Sequence, residues 1–333
     1  MAVHLSLGCT DSDIMRPLLN DAVEPDGVEL TTIANRPSKR HRRFFEHPVY
    51  DICEISLASY LSSRTVSNDY EFTALPVFPY RKFRHSFVYK RADSDMTDLG
   101  DLAGKNVATQ SWQTTATVWI RGIAREQYGL DLEDVTWYRR KEDDVGLGVP
   151  DRFDVNVLPG EKEGDAARRA PVRQALLEGE LDAAMDPSGS LFSEVADSDK
   201  LDFLFDDPLG EEQRYFQETG IHPIMHVIVI RDEILDDHPW VALSVYEALC
   251  DARDQCLDRK RSPSADLSST WSHLHDLEQQ RIMGPPESVW EYGLTEKTRT
   301  ELNTFVDYAH NQGVIPHEYD LDDLFVDATL DLN

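Results

Sequence analysis

Short β-branched runs alternate with helical stretches twice along this chain, and that alternation limits the fold more than any single motif. Val3–Leu7, Val28–Ile33, Tyr50–Ile55 and Phe72–Val77 read as strands. Helices over Asp11–Asn20, from Pro37 onward and over Ser56–Val66 separate them. A second run begins near Leu99, with strands at Gly104–Thr109, Val135–Trp137 and Leu181–Met185 and helices at Thr114–Tyr128 and Ala166–Glu178. Strands separated by helical segments of about ten residues build βαβ units and a parallel sheet. Ile224–Ile230 adds a strongly apolar strand, after which Pro239–Arg259, Leu267–Met283 and Thr295–Gln312 read as helices. The polar stretch Arg139–Gly164 reads as a long surface loop. The expectation is an α/β chain of two lobes with a helical C-terminal region: 1–98 as the first part of lobe 1, 99–222 as lobe 2, and 223–333 returning to lobe 1. A continuous doubly wound sheet satisfies the same periodicity. In the two-lobed case ligand sits in the cleft between lobes, beside the carboxyl ends of the strands.

Charge narrows the partners. Asp and Glu number 62 against 33 Lys and Arg, a formal net charge of −29, and the cations are 24 Arg and only nine Lys. Such a field repels nucleic acid and anionic lipid at long range. No stretch approaches the ~18 apolar residues of a membrane span. An acidic, Lys-poor surface suits molar salt, where screening is nearly complete, and we read the chain as halophilic. The alternation of Val3, Leu5 and Leu7 reads as a first strand inside the fold rather than a leader. Cys9, Cys53, Cys250 and Cys256 lack CxxC spacing and read as free thiols of a reducing cytoplasm. A homo-oligomer is compatible with the sequence, although Trp119 and the Trp240–Arg259 helix read first as core.

Against the acid excess, Phe78-Pro79-Tyr80-Arg81-Lys82-Phe83-Arg84-His85-Ser86 forms a local positive island. Arginine offers a planar fork for carboxylates, and histidine exchanges protons near neutrality. Solvated Arg81 and Lys82, with His85 on an edge strand, is the structural alternative. Ser111-Trp112-Gln113-Thr114-Thr115 joins a strand to a helix, so its N–H groups and hydroxyls offer either an anion cradle or simple capping by Thr114. Asp51-Ile52-Cys53-Glu54-Ile55-Ser56-Leu57 places Glu54 among apolar neighbours, which calls for an ion-pair partner or a raised pKa, and puts Ser56 at a helix start. His222 and His226 have the spacing of a helical metal pair, but Pro223 and the β-branched run favour a strand and no third ligand lies near; no metal site is assigned. Asp182 and Asp186 read as strand-end and turn residues. GxGxxG, Walker A, GxSxG and HExxH patterns are absent from the sequence, which removes most support for nucleotide binding and common hydrolases.

An ordered set of blocks resembles one family. Phe44-Phe45 through Tyr50-Asp51-Ile52-Cys53-Glu54-Ile55-Ser56-Leu57-Ala58-Ser59-Tyr60-Leu61 is similar to the 4,5-dihydroxyphthalate decarboxylases. So are Phe78-Pro79 with Phe83-Arg84-His85-Ser86, Thr114–Gly122, Thr219-Gly220-Ile221 with Pro223-Ile224-Met225-His226-Val227, and Pro239-Trp240-Val241-Ala242. The blocks run from about residue 44 to Tyr292-Gly293. The chain departs from the pattern at His222, where an apolar aromatic residue is expected, and in the acidic insertion around Lys141–Gly164. The resemblance implies the two-lobed type II periplasmic-binding-protein-like fold used as an enzyme. It implies loss of CO2 from an aromatic dicarboxylate to give 3,4-dihydroxybenzoate.

That chemistry needs no cofactor, because a hydroxyl para to the departing carboxylate pushes electrons into the ring while the ipso carbon takes a proton. Arg84, Arg81 and the Thr114/Thr115 helix start would anchor carboxylates. His85 or His226 would be general acid or phenol base, Glu54 would orient that histidine, and Ser56 and Ser86 would bond ring hydroxyls. The alternative from another class is a non-catalytic solute-binding protein for an aromatic or other carboxylate.

Overall fold

The computed structural model describes residues 2–47, 49–65, 70–143, 145–158, 165–197, 199–262 and 270–332. Two compact units emerge: residues 1–82, 216–304 and 319–333 form unit 1, and residues 83–215 and 305–318 form unit 2.

The chain opens with β1 (Val3–Cys9), α1 (Arg16–Leu19), β2 (Val28–Ala34), α2 (Pro37–Glu46), β3 (Ile52–Ser56), α3 (Leu57–Ser63) and β4 (Phe72–Arg81). The helix expected over Asp11–Asn20 contracts to the four residues of α1. Pro17 lacks an N–H, and Asp21 in the left-handed region ends any continuation. The helix expected to reach Val66 ends at Ser63, and Val66 itself lies outside the described residues.

Unit 2 carries β5 (Val88–Arg91), β6 (Asn106–Thr109), α4 (Thr115–Tyr128), β7 (Thr136–Arg139), β8 (Val155–Val157), α5 (Asp165–Glu178), β9 (Ala183–Met185), α6 (Ser190–Asp197) and β10 (Leu201–Phe203). The helix α7 (Pro208–Thr219) spans the boundary back to unit 1. The sheet of unit 2 has the order β10-β5-β9-β6-β7-β8, with β5 antiparallel to both neighbours. Because both partners of β5 belong to this sheet, the chain leaves unit 1 at residue 82, ahead of β5, rather than near residue 98. The stretch read as one loop over Arg139–Gly164 contributes β8, paired in parallel with β7, and its residues 159–164 lie outside the described ones. Trp112, Trp119 and Trp137 are fully buried in this unit, each contributing on the order of 2 kcal/mol by area burial. Gly122 on α4 lies so close to the Tyr308 ring that no larger residue fits.

The return to unit 1 brings β11 (Ile224–Arg231), α8 (Asp232–Asp237), α9 (Val241–Arg261), α10 (Ser272–Met283), α11 (Pro286–Val289) and α12 (Glu296–Asn311), the last of which runs on into unit 2. Residues 267–269, expected at the start of α10, lie outside the described residues. The unit 1 sheet has the order β2-β1-β3-β11-β4, with β1, β2 and β3 parallel and β11 antiparallel to β3 and β4. Inserting β11 between β3 and β4 brings residue 226 beside residue 56 across a sequence separation that periodicity cannot see. The register of β11 with β4 breaks on both sides of His226. The strand β4 carries Pro76 and Pro79, which supply no N–H to the ladder and are tolerated because β4 is an edge. Such irregularities disturb strict alternation, and here they flank His226.

Candidate active site

At the carboxyl end of the unit 1 sheet, β1, β3 and β11 converge on Glu54. Every residue of β3 is buried, and the Glu54 side chain is 1% exposed. One carboxylate oxygen accepts the Thr10 backbone N–H at 2.7 Å. The other accepts the Thr10 hydroxyl at 2.8 Å, lies 3.1 Å from the Arg40 Nη2, and meets His226 Nδ1 at 2.5 Å. Arg40 is fixed by two more bonds, Nε to the Glu54 carbonyl at 2.7 Å and Nη1 to the Asn35 carbonyl at 2.8 Å. Burial works to raise the Glu54 carboxyl, but the Arg40 charge, His226 and Thr10 together hold it well below the usual carboxylate range. It is therefore an anion near neutrality. An anion accepting from Nδ1 fixes the His226 tautomer and puts the lone pair of the neutral ring on Nε2. Two more rings pack on His226: Tyr80 at 4.9 Å between centroids and His41 at 5.2 Å, edge to face.

The expectation that Glu54 orients a histidine thus resolves to His226. Ser56 sits opposite His226 across the strand pair and caps α3, accepting the Ser59 N–H at 3.5 Å. Arg40 and His41 are not among the residues that the sequence singles out, where this stretch shows only as a helix from Pro37 onward. The available signal was helical spacing: Arg40, His41 and Phe44 share the buried face, while Arg42 and Arg43 are exposed.

Arg81 faces a different set of partners. Its guanidinium is fully buried and meets Glu301 at 2.5 Å, the His222 carbonyl at 3.2 Å and the Glu291 carbonyl at 2.9 Å. A guanidinium so engaged ties β4 to α12, and the carboxylate-binding role expected of Arg81 gives way to a structural one. His222 belongs to the same knot: its N–H donates to Glu301 at 3.0 Å and its ring packs on Trp290. Burial, with Arg81 adding to it, pushes the His222 imidazole down to about 3. His222 and His226 thus have separate partners.

Unit 2 gathers a second group of polar side chains where β9 ends and β5 begins. Asp186 pairs with Arg140 at 3.0 Å, and both are buried. It also accepts the Ser188 N–H and hydroxyl at 3.1 and 2.6 Å and the Ser190 hydroxyl. Burial alone would raise the Asp186 carboxyl, but Arg140 and the two serines bring it below its ordinary value. Arg84, 4% exposed, donates to the Pro187 carbonyl of the same turn at 3.4 Å and lies over the Phe87 ring at 5.0 Å. The sequence reading set Asp186 aside as a turn residue. It is one, and its ion pair with Arg140 spans a gap in sequence that no local pattern reveals.

Three further expectations change here. His85 is 0% exposed, with its ring against Phe205 and Tyr215. Burial pushes its pKa down to about 4, so it is a neutral core imidazole, and the acid/base role expected of it is withdrawn. Ser86 donates its N–H and hydroxyl to Glu212 at 3.0 and 2.7 Å, rather than standing ready for a ring hydroxyl. At the α4 start, the Gln113 N–H donates to Asp143 at 2.7 Å, Ser111 and Thr114 bond each other at 2.9 Å, and Thr115 is buried. The anion cradle expected there holds a carboxylate of the chain itself. Burial raises the Asp143 carboxyl above its ordinary value.

No family model matches the chain. Among curated proteins, the 4,5-dihydroxyphthalate decarboxylase of Comamonas testosteroni is 31% identical over 99% of this chain and 98% of that protein. The 4,5-dihydroxyphthalate decarboxylase of Pseudomonas putida is 34% identical over 65% of this chain and 82% of that protein. Among solved structures, the periplasmic aliphatic sulphonate binding protein SsuA of Escherichia coli superposes with a TM-score of 0.57 at 11% identity, covering 98% of this chain and 92% of that one. A mutant of DszB in complex with biphenyl-2-sulfinic acid gives a TM-score of 0.54 at 14% identity, with both chains fully covered. The fold is accordingly the two-lobed type II periplasmic-binding-protein-like fold, and the full-length match in sequence places this chain in the 4,5-dihydroxyphthalate decarboxylase family.

Proposed function

We propose that this chain is a carboxy-lyase that converts 4,5-dihydroxyphthalate to 3,4-dihydroxybenzoate and CO2. The observation that carries the reading is the buried Arg40–Glu54–His226 relay in a chain whose full-length relative bears that activity in its name. Each hydroxyl of the substrate is para to one carboxylate. His226, with Nδ1–H directed at Glu54, accepts the hydroxyl proton at Nε2, and the ring pushes electron density to the ipso carbon. That carbon takes a proton, the carbon–carbon bond breaks, its electron pair restores aromaticity, and CO2 departs. The phenolate left behind recovers its proton from His226. Over the cycle one carboxylate and one proton become one C–H bond and CO2.

The second carboxylate stays on the product and needs a fixed cation. Arg84, held to the Pro187 carbonyl, is the residue we assign to it. Thr114, Thr115 and Ser86 play at most a supporting part because their polar groups serve the chain. The place of action we attach is the cytoplasm, in keeping with four free thiols. A halophilic habitat is our reading of the −29 charge. No helix among the described residues is long and apolar enough to cross a membrane.

The test is to supply 4,5-dihydroxyphthalate in high salt and follow CO2 and 3,4-dihydroxybenzoate together. Turnover with equal yields of both supports the proposal. Calorimetric binding without turnover would instead favour a solute-binding protein.

A further inference from the structure

Decarboxylation of a phenol requires two proton movements at different atoms, one off the hydroxyl and one onto the ipso carbon. A single imidazole must travel between them, whereas two imidazoles divide the work. The structure holds a second one in place. His41, on the buried face of α2 next to Arg40, presents its ring edge-on to His226 with centroids 5.2 Å apart. Both residues are buried, with 6% of His41 and 7% of His226 exposed. We infer that His41 is the second proton-transfer group of the site, the acid that delivers a proton to the ipso carbon while His226 serves the hydroxyl. The inference rests on the decarboxylase reading given above.

Chemistry and charge agree with this division. Arg40 and Glu54 offset one another, so an excess proton on the pair of imidazoles takes its counter-charge from a carboxylate of the bound substrate. Glu54 holds His226 by Nδ1 and sets that ring up as the base, which leaves the part of the acid to the second ring. In the step itself, His41 in its protonated form gives up a ring proton as the new C–H bond forms. The carbon–carbon bond then breaks with its electrons returning to the ring, and neutral His41 regains a proton from solvent. The para oxygen and ipso carbon lie across one six-membered ring, a span that two rings 5.2 Å apart can serve together. Tyr80 on β4 and Glu54 on β3 face His226, Arg40 on α2 pairs with Glu54, and Cys9, Cys53 and Tyr292 surround that carboxylate. Burial raises the Cys9 thiol to about 12, so it stays protonated across the working range.

The experiment compares wild type, His41→Phe and His41→Asn. Phenylalanine keeps an aromatic edge against His226 but has no proton to give, and asparagine keeps polarity without the ring. The expected result is kcat lower by about 100-fold or more in both variants with KM changed little. The wild-type pH profile should be bell-shaped and should lose one limb in both variants. Wild-type kcat with an unchanged bell in His41→Phe would reduce His41 to packing and overturn the inference. Nitrogen NMR titration of the histidines supplies a readout independent of turnover. Two coupled titrations in wild type should collapse to one uncoupled His226 titration in the variants. An unchanged His226 titration overturns the inference even where the wild type lacks decarboxylase activity, and that lack by itself would overturn only the functional reading.

Discussion

Replacing Glu54 by glutamine changes the least volume and removes the charge on which the relay depends. Glu54 accepts from three donors, Thr10 N–H, Thr10 hydroxyl and His226 Nδ1, and forms an ion pair with Arg40 at 3.1 Å. Glutamine keeps one acceptor oxygen and turns the other position into an NH2 group. If the NH2 takes the site of the shared oxygen, it faces Arg40 and forces His226 to accept at Nδ1, placing the ring proton on Nε2. The base is then in the wrong tautomer, and kcat should fall by about 10²–10⁴. Arg40, with its side chain 0% exposed, would be left as a buried charge without its carboxylate. Breaking a buried pair in this way costs about 3–5 kcal/mol. For a unit of this size, that lowers the melting temperature by about 10 °C. Calorimetric melting and a CO2-release assay on the same preparation read both effects. Retention of the wild-type melting temperature and kcat in E54Q would refute the assignment of Glu54 as both anchor and charge partner. The pH sign follows from the same residue. Its folded pKa is depressed, so its contribution to stability is fully present above the unfolded carboxyl value and is lost as pH falls through the depressed one.

Other expected outcomes follow from the remaining sites. His85→Phe should leave kcat unchanged and flatten the acid sensitivity of the fold. The folded imidazole titrates at about 4 against 6.5 in the unfolded chain, so between those values the unfolded state binds the extra proton and stability falls. The effect is about 3 kcal/mol at most. Melting curves across that pH range measure it, and a 100-fold loss of kcat in a folded His85→Phe would restore the residue to the acid/base candidates. Arg84→Met should raise KM or lower kcat/KM by about 10–150-fold, the equivalent of about 1.5–3 kcal/mol for a lost charge-assisted bond. Unchanged steady-state kinetics in this variant would exclude Arg84 from substrate binding. Melting temperature and turnover should both climb from dilute buffer to molar KCl, and full stability and activity in dilute buffer would refute the halophilic reading.

What the sequence made legible was what is local. The strands β1, β2, β3 and β11 show as apolar runs, α4 runs from a threonine to Gly129 in the left-handed conformation, and the buried position of Glu54 follows from its neighbours. The short elements β8, α6, β10 and α7 were not assigned. Three-residue strands carry too few side chains for a period, and α7 opens with Pro208 in a stretch that mixes Gly, Glu and Gln. Long-range pairing was equally silent: nothing near Arg81 names Glu301 as its partner, and nothing near Asp186 names Arg140. The island Arg81–Ser86 looked like one basic patch because six consecutive residues share a line of text. In the fold, Arg81 turns into unit 1 against Glu301, while Arg84 and His85 belong to unit 2, across the boundary at residue 82. The decisive contact, Glu54 to His226, depends on β11 pairing with β3, and only the resemblance placed both residues in one set of blocks.

The −29 charge and the binding of a dicarboxylate look contradictory until charge is sorted by depth. Only three acidic residues are buried among the described ones, Glu54, Asp186 and Glu301, and each is matched to an arginine. Buried arginines among them number five, Arg40, Arg81, Arg84, Arg121 and Arg140, so the interior carries the opposite bias to the surface. Arg121 shows how such a charge is housed mainly by neutral partners, with Asp143 the carboxylate that acts on it. It bonds the Gln312 side-chain oxygen at 2.7 Å and stacks 3.8 Å over Trp112, while burial brings its pKa down to about 9. Salt acts unequally on the two populations. At about 1 M the Debye length is about 3 Å, which screens surface acids from an approaching dianion but leaves buried guanidiniums at hydrogen-bond distance unaffected. Raising salt should therefore remove the repulsion while retaining the attraction, and the fall in KM should be steeper for the dianionic substrate than for a monoanionic analogue. Equal salt dependence for the two would mean that the acidic surface acts on folding alone and has no part in substrate approach.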